Sequence, residues 1–158
     1  MLKTILVSSL IPLLLLLLLQ GCSNDKLSAE DEVRKYIEDG IQAAENRSSG
    51  DLGDMIYDYY ADRNGYDKNK LVNLLRAYFF RHKNIHLFTK IRDIRFLTPR
   101  EARVTMHVAM AGQVIADVTA LASLRATLYR FELDLLKNDG EWQLRGANWE
   151  PAQLNDMN

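Results

Sequence analysis

The spacing of apolar residues changes from helical to alternating just after His82, and this change limits the folds that the chain can adopt. Before it, apolar side chains recur three and four positions apart, which predicts helices. After it they recur at every second position, most clearly at Ala102, Val104, Met106, Val108 and Met110. Helices followed by antiparallel strands indicate an α+β domain with its helices against one face of the sheet.

The helical part divides into three predicted helices. The first begins at Ser28, where Asp31 stands three residues on in the spacing of a capping box, and it ends at residues 48–50. A second, shorter helix is expected over residues 52–59, before the turn Asn64-Gly65. The third covers residues 67–82 and has one apolar face.

The second part predicts a curved antiparallel sheet of about four long strands, over residues 85–91, 102–110, 129–135 and 141–150. A helical turn is expected within residues 114–124. In the last strand Trp142 and Trp149 have opposite parity, so regular alternation would place them on opposite faces. A bulge at Gly146 would bring both tryptophans to one face, and the alternative is that one of them covers the other side of the sheet.

The N-terminal segment has the parts of a bacterial secretory signal. Lys3 supplies a positive charge, and an apolar stretch follows over residues 5–19. As a helix this stretch would be about 22 Å long, shorter than the roughly 30 Å core of a bilayer. It also contains Pro12, which weakens a helix. We therefore expect a cleaved signal over residues 1–21.

The end of that segment, Leu19-Gln20-Gly21-Cys22, resembles a lipobox, although Gln20 departs from the usual small or aliphatic residue. Cys22 is the one cysteine of the chain, and a lone cysteine in an exported protein needs an explanation. The resemblance implies that Cys22 is lipidated and becomes the first mature residue. In lipoprotein sorting of Gram-negative bacteria, Ser23 at the next position implies the periplasmic face of the outer membrane.

The whole pattern resembles the nuclear transport factor 2-like superfamily, whose cone-shaped fold also occurs in ketosteroid isomerases and polyketide cyclases. The resemblance rests on the order of elements, on residues 70–79 leading straight into a strand, and on the closing hairpin at residues 138–144. It implies a domain over residues 28–151, between a lipidated tether (22–27) and a tail (152–158). It also implies a pocket between sheet and helices, though no particular reaction.

The predicted function is binding of a small apolar ligand or an envelope protein. Binding without catalysis is the simpler of the two predictions that follow. Side chains placed to line the pocket are Tyr36, Tyr57, Tyr78, His82, His86 and Trp149. His82 and His86 straddle the change from helix to strand, and no further ligands accompany them, so neither a metal nor a cofactor is expected. The net charge of −1, with no basic block, argues against nucleic acid.

The alternative is an isomerase- or dehydratase-type enzyme that uses an Asp/Tyr pair in the pocket. The candidates are Tyr57, Asp58, Tyr59, Tyr60, Asp62 and Asp117. Asp62 precedes Asn64-Gly65 and is more simply a turn residue. Arg130, Glu132 and Asp134 alternate with apolar residues and predict a charged outer sheet face with cross-strand ion pairs. A homodimer or an envelope partner on that face is the other interpretation.

The lipidation prediction is tested by Cys22→Ala. We expect this variant to lose incorporation of labelled fatty acid and to accumulate as uncleaved precursor, because both steps need the thiol. Immunoblotting and lipid labelling measure this, with Ser23→Ala as the matched control that keeps both. Normal labelling of the Cys22→Ala chain would contradict the assignment.

Overall fold

The computed structural model describes residues 27–122 and 126–157, so the predicted signal segment and Cys22 lie outside the described residues. Within these residues, three helices precede a four-stranded antiparallel sheet. The helices are α1 (Ala29–Glu45), α2 (Ser49–Asp54) and α3 (Lys68–Arg81), and the strands are β1 (His86–Thr98), β2 (Glu101–Ala111), β3 (Thr127–Asn138) and β4 (Glu141–Pro151). The strands are adjacent in chain order, and the α+β prediction is confirmed. In the part described, no helix is long and apolar enough to cross a membrane.

The helix starts follow local sequence. The Ser28 hydroxyl accepts from the Asp31 backbone N–H at 3.1 Å, and the Asp31 carboxylate accepts from the Ser28 N–H at 3.3 Å, so the capping box is confirmed. Asp67 caps α3 by accepting from the Lys70 N–H at 2.8 Å. Such caps satisfy backbone donors that the first helical turn leaves without partners.

The second helix is shorter than predicted. It ends at Asp54 instead of running to residue 59, because the chain leaves it to pair with β4. The Leu144 N–H donates to the Met55 carbonyl at 2.9 Å, and the Tyr57 N–H donates to the Leu144 carbonyl at 3.0 Å. The apolar side chains whose spacing suggested a longer helix therefore pack on a strand instead.

The inner face of the sheet carries the main core. The alternation predicted for β2 is confirmed, since Met106 is only 4% exposed and its even-numbered neighbours from Ala102 to Val108 are also buried. They pack against Val33 and Ile37 of α1 and against Leu135 and Trp142. Burial of these apolar side chains, each contributing about 1.5–3 kcal/mol, holds the helices on the sheet.

The first strand is longer than predicted and contains a bulge. It runs for 13 residues, well past residue 91, and its pairing with β2 shifts between Ile91 and Asp93. Arg92 is the extra residue, so Ile91 and Ile94 both contact the inner core despite their spacing of three. The bulge removes the alternation that marks a strand in sequence, and for this reason the prediction ended too early.

The last strand has the bulge that the two tryptophans suggested. Asp134 pairs with Gly146 whereas Leu135 pairs with Leu144, so Arg145 is the extra residue. Trp142 and Trp149 consequently share the inner face. A Cβ on Gly146 would lie 2.9 Å from the Ala61 carbonyl oxygen. The backbone of Ala61 comes this close because its N–H donates to the Arg145 carbonyl at 3.2 Å.

The outer face of the sheet is charged along one half and covered along the other. Arg103 pairs with Asp134 at 2.8 Å, and Arg130 pairs with Glu150 at 3.2 Å, as the alternation predicted. Ala109, by contrast, is buried with Leu121 and Leu154, residues of the two 3₁₀ turns Val118–Ala122 and Leu154–Met157. His107, expected on a polar face beside Arg103, is only 8% exposed there, because alternation assigns a side chain to a face without showing how far that face is covered.

Gly146→Ala tests the β4 bulge. The added methyl group meets backbone at 2.9 Å, so we expect unfolding to become easier by about 1–3 kcal/mol. Gly112→Ala is the matched control, since a Cβ there has nothing within 4 Å, and its effect should stay within about 0.5 kcal/mol. Urea unfolding measures both, and equal midpoints would contradict the close approach.

Candidate functional site

An apolar cavity of about 280 Å³ lies between the helices and the inner face of the sheet. Its walls come from the C-terminal half of α1, the end of α2, α3 and all four strands. The side chains that matter below are Tyr36, Ala44, Met55, Tyr78, Thr89, Met106, Met110, Phe131, Leu133 and Trp149. Apolar cavities of roughly 150 Å³ already admit benzene, so this space suffices for a ligand with a single chain or a small ring system.

Few polar side-chain groups reach this cavity. Among the described residues that line it, only Tyr36, Tyr78, Thr89 and Trp149 carry one. The Tyr36 hydroxyl donates to the Met55 carbonyl at 3.0 Å. The Tyr78 hydroxyl lies 3.9 Å from the Met110 sulfur, which is a weak acceptor, so this phenol can still donate to a bound molecule.

Both phenols stay protonated. Burial raises the pKa of Tyr36 above its ordinary value. Burial also raises the pKa of Tyr78, with a smaller contribution from nearby Tyr129. An unperturbed tyrosine ionises near pH 10, so at neutral pH these groups serve as hydrogen-bond donors and do not act as bases.

Trp149 is fixed between two other rings. Its ring centroid lies 6.3 Å from that of Phe131 and 6.2 Å from that of Tyr66, at interplanar angles of 29° and 30°. Offset stacks of this kind restrain a large side chain. The indole therefore forms a rigid part of the wall.

The structure brings three of the six pocket residues named from sequence to the cavity: Tyr36, Tyr78 and Trp149. Tyr57 does not line the cavity, and its ring lies 5.6 Å from that of Tyr59. His86 starts β1 between Ile85 and Leu87, which both line the cavity, so alternation sends His86 to the opposite face. His82 is exposed just beyond α3, and its ring stacks on Tyr78 at 4.2 Å.

Sequence reasoning missed the methionines of the wall. Met55, Met106 and Met110 line the cavity, which accounts for three of the five methionines in the chain. Their spacing in the sequence identified apolar faces only. Methionine is unbranched and adapts to irregular partners, and its concentration here was the signal that could have indicated a ligand-binding wall.

The residues named for catalysis lie elsewhere. Tyr60, 2% exposed, donates its hydroxyl to the Asp62 carboxylate at 2.8 Å. Asp62 also accepts from the backbone of Asn64 and Tyr66, as a turn residue does. It borders a separate polar cleft of about 220 Å³ on the outer side of β3 and β4.

The other candidates have structural contacts of their own. Asp58 pairs with Lys68 at 2.7 Å, and Tyr59 is 81% exposed. Asp117 accepts from the Thr119 hydroxyl and the Ala120 N–H at the start of a 3₁₀ turn, and those hydrogen bonds lower its pKa. Over residues 27–122 and 126–157, no three His, Cys, Asp or Glu side chains come together as a metal site requires.

Comparisons with known proteins identify the fold. No protein-family model matches the chain, and no curated protein matches its sequence. A domain of unknown function with a cystatin-like fold from Nostoc punctiforme aligns over 81% of this chain and 80% of its own, at 16% identity and a TM-score of 0.61. A nuclear transport factor 2-like protein of unknown function from Shewanella oneidensis aligns over 77% of this chain and 98% of its own, at 14% identity and a TM-score of 0.57.

A third solved structure is an enzyme. Hexachlorocyclohexane dehydrochlorinase from Novosphingobium barchaimii aligns over 79% of this chain and 87% of its own, at 12% identity and a TM-score of 0.61. Identities this low show the fold alone. The chain has the nuclear transport factor 2-like cone, a fold that is used both by enzymes and by proteins of unknown function.

Tyr60→Phe tests whether the Tyr60–Asp62 pair is structural. Loss of the hydrogen bond should cost about 1–2 kcal/mol of unfolding free energy at pH 8. Burial, the hydrogen bond and the charge of Asp62 raise the pKa of Tyr60. The contribution of the Tyr60 hydroxyl to the unfolding free energy is therefore full below about pH 10, and it is lost as the pH rises through the folded-state pKa of Tyr60.

We thus expect the unfolding free energy of Tyr60→Phe to fall less between pH 8 and pH 11 than that of the wild type. Urea titrations at the two pH values measure the difference, and Tyr59→Phe serves as the exposed control. Parallel losses in the wild type and in Tyr60→Phe would show that Tyr60 does not titrate as described.

Proposed function

We propose that the chain is a lipid-anchored envelope protein whose cone domain binds a small apolar or amphipathic ligand in the cavity between helices and sheet. The observation that carries the proposal is the composition of the wall, where aliphatic, methionine and aromatic side chains surround about 280 Å³. Known ligand sites are concave, largely apolar and supplied with a few polar groups. Tyr78 and Thr89 supply such groups here.

The anchor rests on the sequence. The signal segment and the lipobox-like Leu19-Gln20-Gly21-Cys22 support lipidation of Cys22, and Ser23 supports sorting to the periplasmic face of the outer membrane. Only residues 23–26 separate Cys22 from the first described residue, so the domain would stay within about 20 Å of the membrane surface. Such a position suits a protein that takes up molecules near the bilayer.

Ligand binding is favoured over the alternative of an isomerase or dehydratase. Among the described residues, no carboxylate and no imidazole lines the cavity. Tyr60 donates to Asp62, which also accepts from the backbone of a turn and lines another cleft. General base catalysis needs the base within hydrogen-bond reach of the substrate proton, which this arrangement does not offer.

A second copy of the chain or an envelope protein remains the proposed partner for the outer sheet face. The ion pairs of Arg103 and Arg130 lie there. Exposed pairs contribute about 0–1 kcal/mol each, so their arrangement would set orientation more than affinity.

Blocking the cavity tests the proposal. Residues 23–158 contain the whole described core, and the neutral dye N-phenyl-1-naphthylamine reports apolar sites by its fluorescence. We expect saturable binding at micromolar concentrations. Ala44→Phe, which places a ring in the wall, should weaken binding at least about tenfold, because the ring takes the ligand's space.

The matched control is Ala77→Phe, a change of the same size on the exposed face of α3. It should bind the dye as the wild type does, and thermal melting confirms that both variants are folded. Dye binding that Ala44→Phe leaves intact would place the site elsewhere. No saturable binding by the wild type would contradict a ligand-binding role.

A further inference from the structure

We call residues 80–84, the end of α3 and the turn into β1, the rim, because they adjoin residues of the cavity wall along the chain. Residues 80–84 are all exposed, yet they stand between two pairs of wall residues, Tyr78 and Phe79 before them and Ile85 and Leu87 after them. His82 touches the wall directly, because its ring stacks on Tyr78 at 4.2 Å. Phe80 is 88% exposed and adds an apolar surface to this rim.

The rim is positively charged. It carries Arg81 and Lys83, and within the described parts of the chain neither forms an ion pair with a carboxylate. Arg81 directs its Nε to the Ala77 carbonyl of its own helix at 3.2 Å, which leaves its charge unneutralised. The stretch from residue 68 to residue 92 contains no Asp or Glu, although the whole chain has a net charge of −1.

Carboxylates near the cavity lie on other elements. Glu45, at the end of α1, accepts the Leu87 N–H at 2.8 Å and is thereby held to the start of β1. Arg47 follows it two residues later and is exposed. Asp51 and Asp54 belong to α2, on the far side of Leu52 and Met55. Arg81 and Lys83 therefore add positive charge at the end of α3 and in the turn to β1, and these two elements contribute no carboxylate there.

We infer that the ligand is a single-chain amphiphile with an anionic head group, its apolar part in the cavity and its head against Arg81 and Lys83. This inference rests on the proposed function and adds the ligand's charge. A cavity of about 280 Å³ stands at the lower limit of the roughly 300–1,000 Å³ usual for ligand sites, which favours one chain over two. Opposite charge at a rim adds affinity and orients the entering molecule.

Three ten-carbon probes of equal length separate charge from apolar burial: decanoate, decanol and decylammonium. The affinity of each probe is measured at low salt, by its displacement of N-phenyl-1-naphthylamine from the protein of residues 23–158. We expect decanoate to bind about five- to tenfold more tightly than decanol, and decylammonium to bind most weakly. In 0.5 M NaCl the preference for decanoate should fall to about twofold, because salt screens exposed charges.

Two double variants with the same change in net charge locate the effect. R81Q/K83Q should lose the preference for decanoate over decanol. R34Q/R95Q removes two exposed cations that lie on α1 and β1 and already pair with Glu30 and Asp93, and it should keep the preference.

The outcomes distinguish the inference from the function on which it rests. Equal affinity of the wild type for decanoate and decanol overturns the anionic ligand while leaving the apolar site in place. A preference that R81Q/K83Q retains overturns the assignment of the head group to this rim. If neither the dye nor any of the three probes binds, the proposed function fails and the inference fails with it.

Discussion

The extra residue in β4, Arg145, keeps Trp142 and Trp149 on the same face of the sheet. Without that bulge one indole would face outward, and the inner face would lose a large apolar side chain at one end. The bulge also admits the backbone of Ala61 against Gly146. The polypeptide before α3 is thereby held across β4, where Ile56 forms a bridge to Leu144. The helices and the sheet are thus joined at β4, where Leu144 belongs both to the core and to the cavity wall.

The two tryptophans mark two different ends of the cone. Trp142 closes one end, where its indole donates to Glu32 of α1 at 3.1 Å and Lys137 also binds that carboxylate. These hydrogen bonds lower the pKa of Glu32. Trp149 stands in the wall of the cavity at the other end, between Phe131 and Tyr66. One end of the sheet is therefore closed by packing around Trp142, whereas the end with Trp149 retains the cavity.

The sequence predicted the parts of this fold that depend on local periodicity. The α+β class, the capping box at Ser28 and the burial pattern of β2 follow from spacings within single elements, and the β4 bulge follows from two tryptophans of opposite parity. The bulge at Arg92 was missed because it erases the alternation by which a strand is recognised. The burial of His107 was missed because alternation assigns a side chain to a face without showing how far that face is covered.

The cavity could be predicted only in part, for a related reason. Tyr36, Tyr78 and Trp149, which the sequence analysis named, line the cavity because each lies on an apolar face. Apolar spacing does not distinguish a residue that packs against a neighbour from one that borders empty space, and so Met55, Met106 and Met110 were read as core alone. His86 and Tyr57 were named as pocket residues for their chemistry, but neither lines the cavity, and strand alternation turns His86 away.

The central claim, that a ligand occupies the space between sheet and helices, is tested most directly by NMR of methionine methyl groups. In residues 23–158 labelled with ¹³C at these methyls, Met55, Met106 and Met110 report from the wall, and the Ala44→Phe variant is the control. Titration with N-phenyl-1-naphthylamine should shift the three wall signals together, with one dissociation constant, and the same titration of Ala44→Phe should shift them far less. Shifts absent from the three wall methyls, or equally large in Ala44→Phe, would contradict the account.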